Sequence, residues 1–257
     1  MREYLPQITI TNTMTTDEIY DAIKSWKTLI DSYKKGDPES LTKILNYLTQ
    51  GTHFSVNGTE IEKWKEYLKD DPLKAINAYV GIDNDQLKFF LIDSKNDSDP
   101  TFDPDTIVVK QFNRKLVEEA DGSYDYAINM DATNTDPVIS LESAIFRNFR
   151  WNIFGSVWLK AIQADPDSLF QIVSIPFEDF CRLELEAYQS CISFLGLTDR
   201  GANSININKY NIDIITVKAL TVNKIIETAQ NYSTPRPPFS LLPETNFQLL
   251  LRSHAQS

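Results

Sequence analysis

The segment from Leu141 to Gln163 constrains the fold more than any other part of the chain. Set at about 100° per residue, Leu141, Ala144, Ile145, Phe146, Phe149, Trp151, Ile153, Phe154, Val157, Trp158, Leu159 and Ile162 point in nearly every direction. A helix that is apolar all round is ordinarily enclosed by protein. This one also carries Arg147 and Arg150, about 60° apart around the axis, with Asn148 and Asn152 as an i,i+4 pair on the other flank. The expectation is a core helix that takes charges inside with it.

A second long helix is expected over Phe177–Leu195, opened by Pro176 and stopped by Gly196. Its apolar arc includes Phe177, Phe180, Leu183, Ala187, Cys191 and Phe194, and Glu184 projects from the middle of that arc. A buried carboxylate without a partner costs several kcal/mol or takes up a proton. Arg147 or Arg150 is the candidate partner, because a guanidinium suits a bidentate buried pair. Three readings stay open. The charges form an internal salt bridge that orients the two helices; Glu184 faces an oligomer contact; or Arg147, Arg150 and Glu184 line a pocket for an anionic ligand or for acid–base work.

The N-terminal third reads as helical. Thr15 and Glu18 have capping-box spacing, and Ile19, Ile23, Trp26, Ile30 and Tyr33 follow at helical intervals. Asp37-Pro38 opens another helix that runs to Gly51, and Thr59 with Glu62 a third. Strands are expected at Ala75–Ile82 and Leu87–Ile92, forming a hairpin around Asp83-Asn84-Asp85. Further strands are expected over Thr106–Phe112, Tyr124–Ile128 and Ser204–Val217, and a helix over Lys218–Gln230. Six of the twelve prolines follow aspartate, so much of the acidity marks element boundaries.

The resulting fold class is α+β: an antiparallel sheet of about four to six strands packed against two long core helices, with an N-terminal helical segment. Residues 1–257 read as a single domain, with about 1–70 a candidate helical subdomain and 233–257 an extended tail. The weakest seam is Asp131–Pro137.

Composition narrows function mainly by exclusion. A net charge of −11 repels nucleic acid and anionic lipid. No apolar run is long enough to span a bilayer, and the first residues lack a signal-peptide apolar region. Cys181 and Cys191, placed on one helix about 15 Å apart, should remain unpaired, which suits a reducing, cytoplasmic setting. Gly196 to Gly201 has the glycine gap of a phosphate loop, but Ala202 and Asn203 replace the lysine and hydroxyl that such a loop needs. The acidic run Asp93–Asp105 lacks the glycine and terminal glutamate of a calcium loop and reads as solvated. His53 reads as a loop residue. Arg236 among prolines resembles a polyproline ligand, though a tail wrapping its own domain is the commoner arrangement.

No catalytic residue, metal ligand or cofactor is assigned. The preferred expectation is a non-catalytic intracellular protein-binding or assembly protein, recognising another protein through acidic and aromatic surface. The alternative is an enzyme or small-ligand binder with its pocket at Arg147, Arg150 and Glu184. Oligomeric state is left open.

Overall fold

The computed structural model describes residues 14–71, 74–113, 138–139, 141–162, 169–187, 189–199, 210–218, 229–230, 234–236 and 246–255. The expected strand at 124–128, the seam at 131–137, the turn at 200–203 and most of the expected helix over 218–230 lie outside them.

The N-terminal capping signals place the first helices. In α1 (Thr16–Lys34), Thr15 and Glu18 form the reciprocal capping box, and Ile19, Ile23, Trp26, Ile30 and Tyr33 form its buried face. Asp37 caps α2 (Pro38–Leu48) ahead of the proline. A short strand, β1 (His53–Asn57), then leads into α3 (Gly58–Tyr67). Asn57 and Glu60 cap that helix in place of the expected Thr59 and Glu62. The hairpin of β2 (Ala75–Asp83) and β3 (Gln86–Asp93) closes on Asn84 and Asp85. Both turn residues have positive φ, as a tight two-residue hairpin turn requires. A single helical turn, α4 (Ser94–Asp97), leads to β4 (Val108–Gln111).

Beyond residue 137 come β5 (Val138–Ile139), α5 (Leu141–Ala161), β6 (Ile172–Pro176) and α6 (Phe177–Cys181). They are followed by β7 (Ser190–Asp199), β8 (Tyr210–Lys218), β9 (Ala229–Gln230), β10 (Thr234–Arg236) and α7 (Gln248–Ala255).

The α+β class stands, but the described strands form two antiparallel sheets rather than one. The first runs β1-β7-β8-β9-β5 and the second β10-β6-β2-β3-β4. Their alternating side chains show how they stack. Phe54, Val56, Ile76, Ala78, Val80, Phe89, Val173, Leu195, Leu197, Ile212 and Ile214 belong to one shared core. On the outer face of the second sheet, Tyr79, Phe90, Ile92 and Ile172 meet α1 and α7. On the outer face of the first, Ile192, Phe194, Ile215 and Val217 meet Ala144 of α5. The layers therefore run helix, sheet, sheet, helix.

A glycine marks each helix–sheet contact. A Cβ on Gly81 would lie 2.8 Å from the Ala22 backbone, and one on Gly196 would lie 3.1 Å from the Cβ of Arg147. Two hydrogen bonds across the core tie α1 to the segment ahead of β6 and to α5. The Trp26 indole N–H donates to the Phe170 carbonyl at 3.0 Å and the Tyr33 hydroxyl to the Leu159 carbonyl at 2.7 Å.

Two expectations need correction. The helix over Phe177–Leu195 stops at Cys181, and its second half is β7. Cys191, Leu195 and Leu197 enter the shared core while Ile192 and Phe194 face α5, an alternation fixed by pairing with β8. Pairing at long range decides such a segment, and a helical wheel cannot display it. The two cysteines, both free, thus sit on different elements. The tail from 233 is likewise more than extended chain. Strand β10 pairs with β6, and α7 buries Leu249 and Leu250 beside α1.

Candidate functional site

The face of α5 that rests on the first sheet is a polar seam inside an apolar frame. Ala144, Trp151, Trp158, Leu159 and Ile162 are buried, with the two indoles edge to face at 6.2 Å. Between them Arg147 reaches Asp213 of β8 at 3.6 Å, and the Thr198 hydroxyl donates to the same carboxylate. Burial draws the Arg147 guanidinium below its ordinary pKa, an effect that Asp213 opposes and Arg150 reinforces. Arg150 lies over the Tyr210 ring, 5.4 Å from its centre. The Trp158 indole donates to the Tyr210 carbonyl at 2.9 Å. Asn148 donates to the Leu195 carbonyl at 2.9 Å, and Asn152 donates to Asn148 at the same distance. The i,i+4 asparagines thus tie the helix to the backbone of β7.

Of the three residues singled out from sequence, the structure joins two. Arg147 and Arg150 share the β7–β8 surface, where the carboxylate is Asp213 and not Glu184. Glu184 is exposed, with φ +46°, in the turn that follows α6. The expectation of a buried Glu184 on a long helix fails because that helix is not there. Asp213 escaped notice because it sits between Ile212 and Ile214 in a strand that reads as apolar. Its one sequence signal is a charge at an outward position of that alternation.

The opposite face of α5 overturns the expectation of an enclosed helix. Ile145, Phe146, Phe149, Ile153, Phe154 and Val157 are 41%, 53%, 53%, 49%, 45% and 50% exposed. They occupy one half of the helix circumference, with Arg150, Ser156 and Lys160 interspersed. The hydropathy of α5 therefore serves two surfaces, one packed on the sheet and one displayed.

The other concentration of polar groups is closed. Asp97, wholly buried, accepts from the Asn77 amide and the Tyr79 hydroxyl, both at 2.6 Å, and from the Leu249 backbone N–H at 3.1 Å. Ser174 extends the network to Asn77. Burial lifts the Asp97 carboxyl to about 7 against the pull of those donors. Asp93 caps α4 through Asn96, and Asp71 accepts from Ser94. Part of the acidic run expected to be solvated is therefore an internal lock that ties α7 to the second sheet. His53 is buried in β1 rather than looped out. Its Nε2 has no hydrogen-bond partner among the described residues, and burial lowers its pKa.

Among the described residues no cluster of histidine, cysteine or carboxylate side chains could hold a metal ion, and no helix is long and apolar enough to cross a membrane. Comparison with protein-family models, with curated proteins and with solved structures finds no match.

Proposed function

We propose that the chain is a non-catalytic protein-binding or assembly protein whose docking surface is the outer face of α5. One observation carries this reading: six large apolar side chains are about half exposed along a single face of a helix whose other face is firmly anchored. A contiguous apolar face of this kind is costly to leave in water and marks a surface that another protein covers. Arg147 and Arg150 enter the proposal as braces. Their partners, Asp213 and Tyr210, hold α5 rigid, so that binding need not also order the helix. The acidic balance and the two free thiols support an intracellular setting away from nucleic acid.

Site-specific photo-cross-linking tests the proposal in cells that make the protein. A benzophenone side chain at Ile153 is expected to cross-link to protein, and the same group at exposed Thr28 on α1 is not. Equal, background-level labelling from both positions would remove α5 as a docking surface.

A further inference from the structure

The two sheets meet at a corner well removed from the displayed face of α5. Strand β1 is an edge of the first sheet and β4 an edge of the second. Just beyond β4, His53 and Asn113 form an antiparallel bridge between them. The Asn113 N–H donates to the His53 carbonyl at 2.8 Å, and the Thr52 N–H donates to the Asn113 carbonyl at 2.7 Å. The segments touch backbone to backbone, since a Cβ on Gly51 would lie 2.5 Å from the Phe112 carbonyl. From this geometry we propose that His53 is a proton-sensitive clasp. The corner is closed while the ring is neutral and opens when the ring takes up a proton.

The hydrogen bonds fix the state of the ring. Thr52 Oγ1 donates its one proton to the Asn113 carbonyl at 3.2 Å, so its 2.9 Å contact with His53 Nδ1 requires the ring to donate. The ring is therefore the Nδ1–H tautomer, with its lone pair on Nε2. That atom is buried and has no hydrogen-bond partner among the described residues. Phe54 and Val56 enter the shared core, so alternation turns His53 to the outer face beside its cross-strand partner Phe194. Phe194 in turn packs with Ala144, Ile215 and Val217. Protonation sets a second N–H and a full charge at this apolar position, on a residue only 3% exposed. A buried charge without a partner is strongly unfavourable. Carrying the ring out to water moves the residue whose own N–H and C=O hold Asn113.

The charged and titratable groups on the neighbouring elements are placed elsewhere. Lys110 of β4 pairs with Glu60 of α3 at 2.7 Å. Glu62 and Lys65 pair with each other, and Lys63, Glu66 and Tyr67 are exposed on the same helix. On β7, Cys191 faces the shared core, and Asp199 lies five residues along the strand from Phe194. On α5, Arg147 meets Asp213, Arg150 lies over Tyr210, and Lys160 is exposed. Burial is accordingly what depresses the His53 pKa. The closed corner holds the neutral ring, so its stability is complete above about pH 6.5, the ordinary histidine value, and is lost as the pH falls below it. Asp97, whose carboxyl is raised, gives the reverse trend.

Amide hydrogen exchange on the purified full chain tests this between about pH 7 and pH 5, the range in which an ordinary histidine titrates. Protection factors, corrected for the intrinsic pH dependence of exchange, should fall at least about fivefold at the Thr52 and Asn113 amides on acidification. In His53→Gln, neutral throughout, they should stay within about twofold. Should that variant fail to fold, the native ring decides by nuclear magnetic resonance. Its signals, told from those of His254 with His254→Gln, should show the Nδ1–H tautomer at neutral pH and titrate below about 6.5. Titration at or above that value, the Nε2–H tautomer, protection indifferent to acid, or an equal loss in His53→Gln each overturns the proposal.

Discussion

Helices α1 and α5 do similar work in this molecule and differ in what they leave uncovered. Each lies across the outer face of one sheet, and each is admitted by a glycine in the strand beneath it. The apolar residues of α1 fall on one stripe, and its large ones, the half-buried Leu29 aside, are buried down to 5% exposure or less. Those of α5 surround the axis, and half of them are 41–53% exposed. An apolar count therefore separates a helix that needs one neighbour from a helix that needs two. It does not say whether the second neighbour belongs to the same chain.

That contrast can be broken from either side, and the largest effects are expected on the buried faces. Trp158→Ala should cost about 3–5 kcal/mol in denaturant unfolding, because the cavity opens beside Trp151 at the end of the shared core. A loss under about 1 kcal/mol, the size of a surface change, would mean that α5 is loosely seated.

Next in size is a pH effect on the α1–α7 side, where Asp97 sits. Its carboxyl titrates near 7 in the fold and near 3.9 in the unfolded chain, so between those values the folded state holds the extra proton. The stability contributed by the neutral acid is complete below about pH 4 and is lost as the pH rises to about 7. Asp97→Asn, which is neutral throughout, should flatten that slope in urea melts. Parallel slopes for the two proteins would contradict the assignment.

Arg147→Met tests the seam beneath α5. It removes the cation facing a nearly buried Asp213 and should cost about 2–3 kcal/mol, read as a lowered denaturation midpoint. A neutral result would show that the carboxylate's other contacts, the Thr198 hydroxyl among them, suffice without the guanidinium.

The smallest effect is expected on the displayed face. Phe149→Ser should change the unfolding free energy of the monomer by less than about 0.5 kcal/mol, although it lies only nine residues from Trp158. A larger destabilisation would place Phe149 inside the fold and end the contrast between the two faces of α5.

How far these features could be read in advance depended on the range of the interaction behind them. The capping box at Thr15 and Glu18, the aspartate–proline start of α2 and the β2–β3 hairpin were all visible, because each is decided within a few residues. Strand β1 was hidden because five residues gain their strand character only by pairing with β7. Strand β7 was mistaken for helix for the complementary reason. Arg147 and Arg150 stand out as charges on an apolar helix, but their partners Asp213 and Tyr210 lie on β8, more than fifty residues further along the chain.

Local chemistry was thus enough to establish the α+β character, the caps and turns, and the existence of an apolar helix with two arginines. Caps and turns are contacts between near neighbours, and their energetics are present in any short stretch of the sequence. Folding alone determined which carboxylate meets Arg147, how the acidic run is divided between surface and core, and which half of α5 is covered. Each of those outcomes turns on what lies opposite a side chain once distant segments have packed. Helical periodicity describes direction around one axis and carries no information about the neighbour on either side.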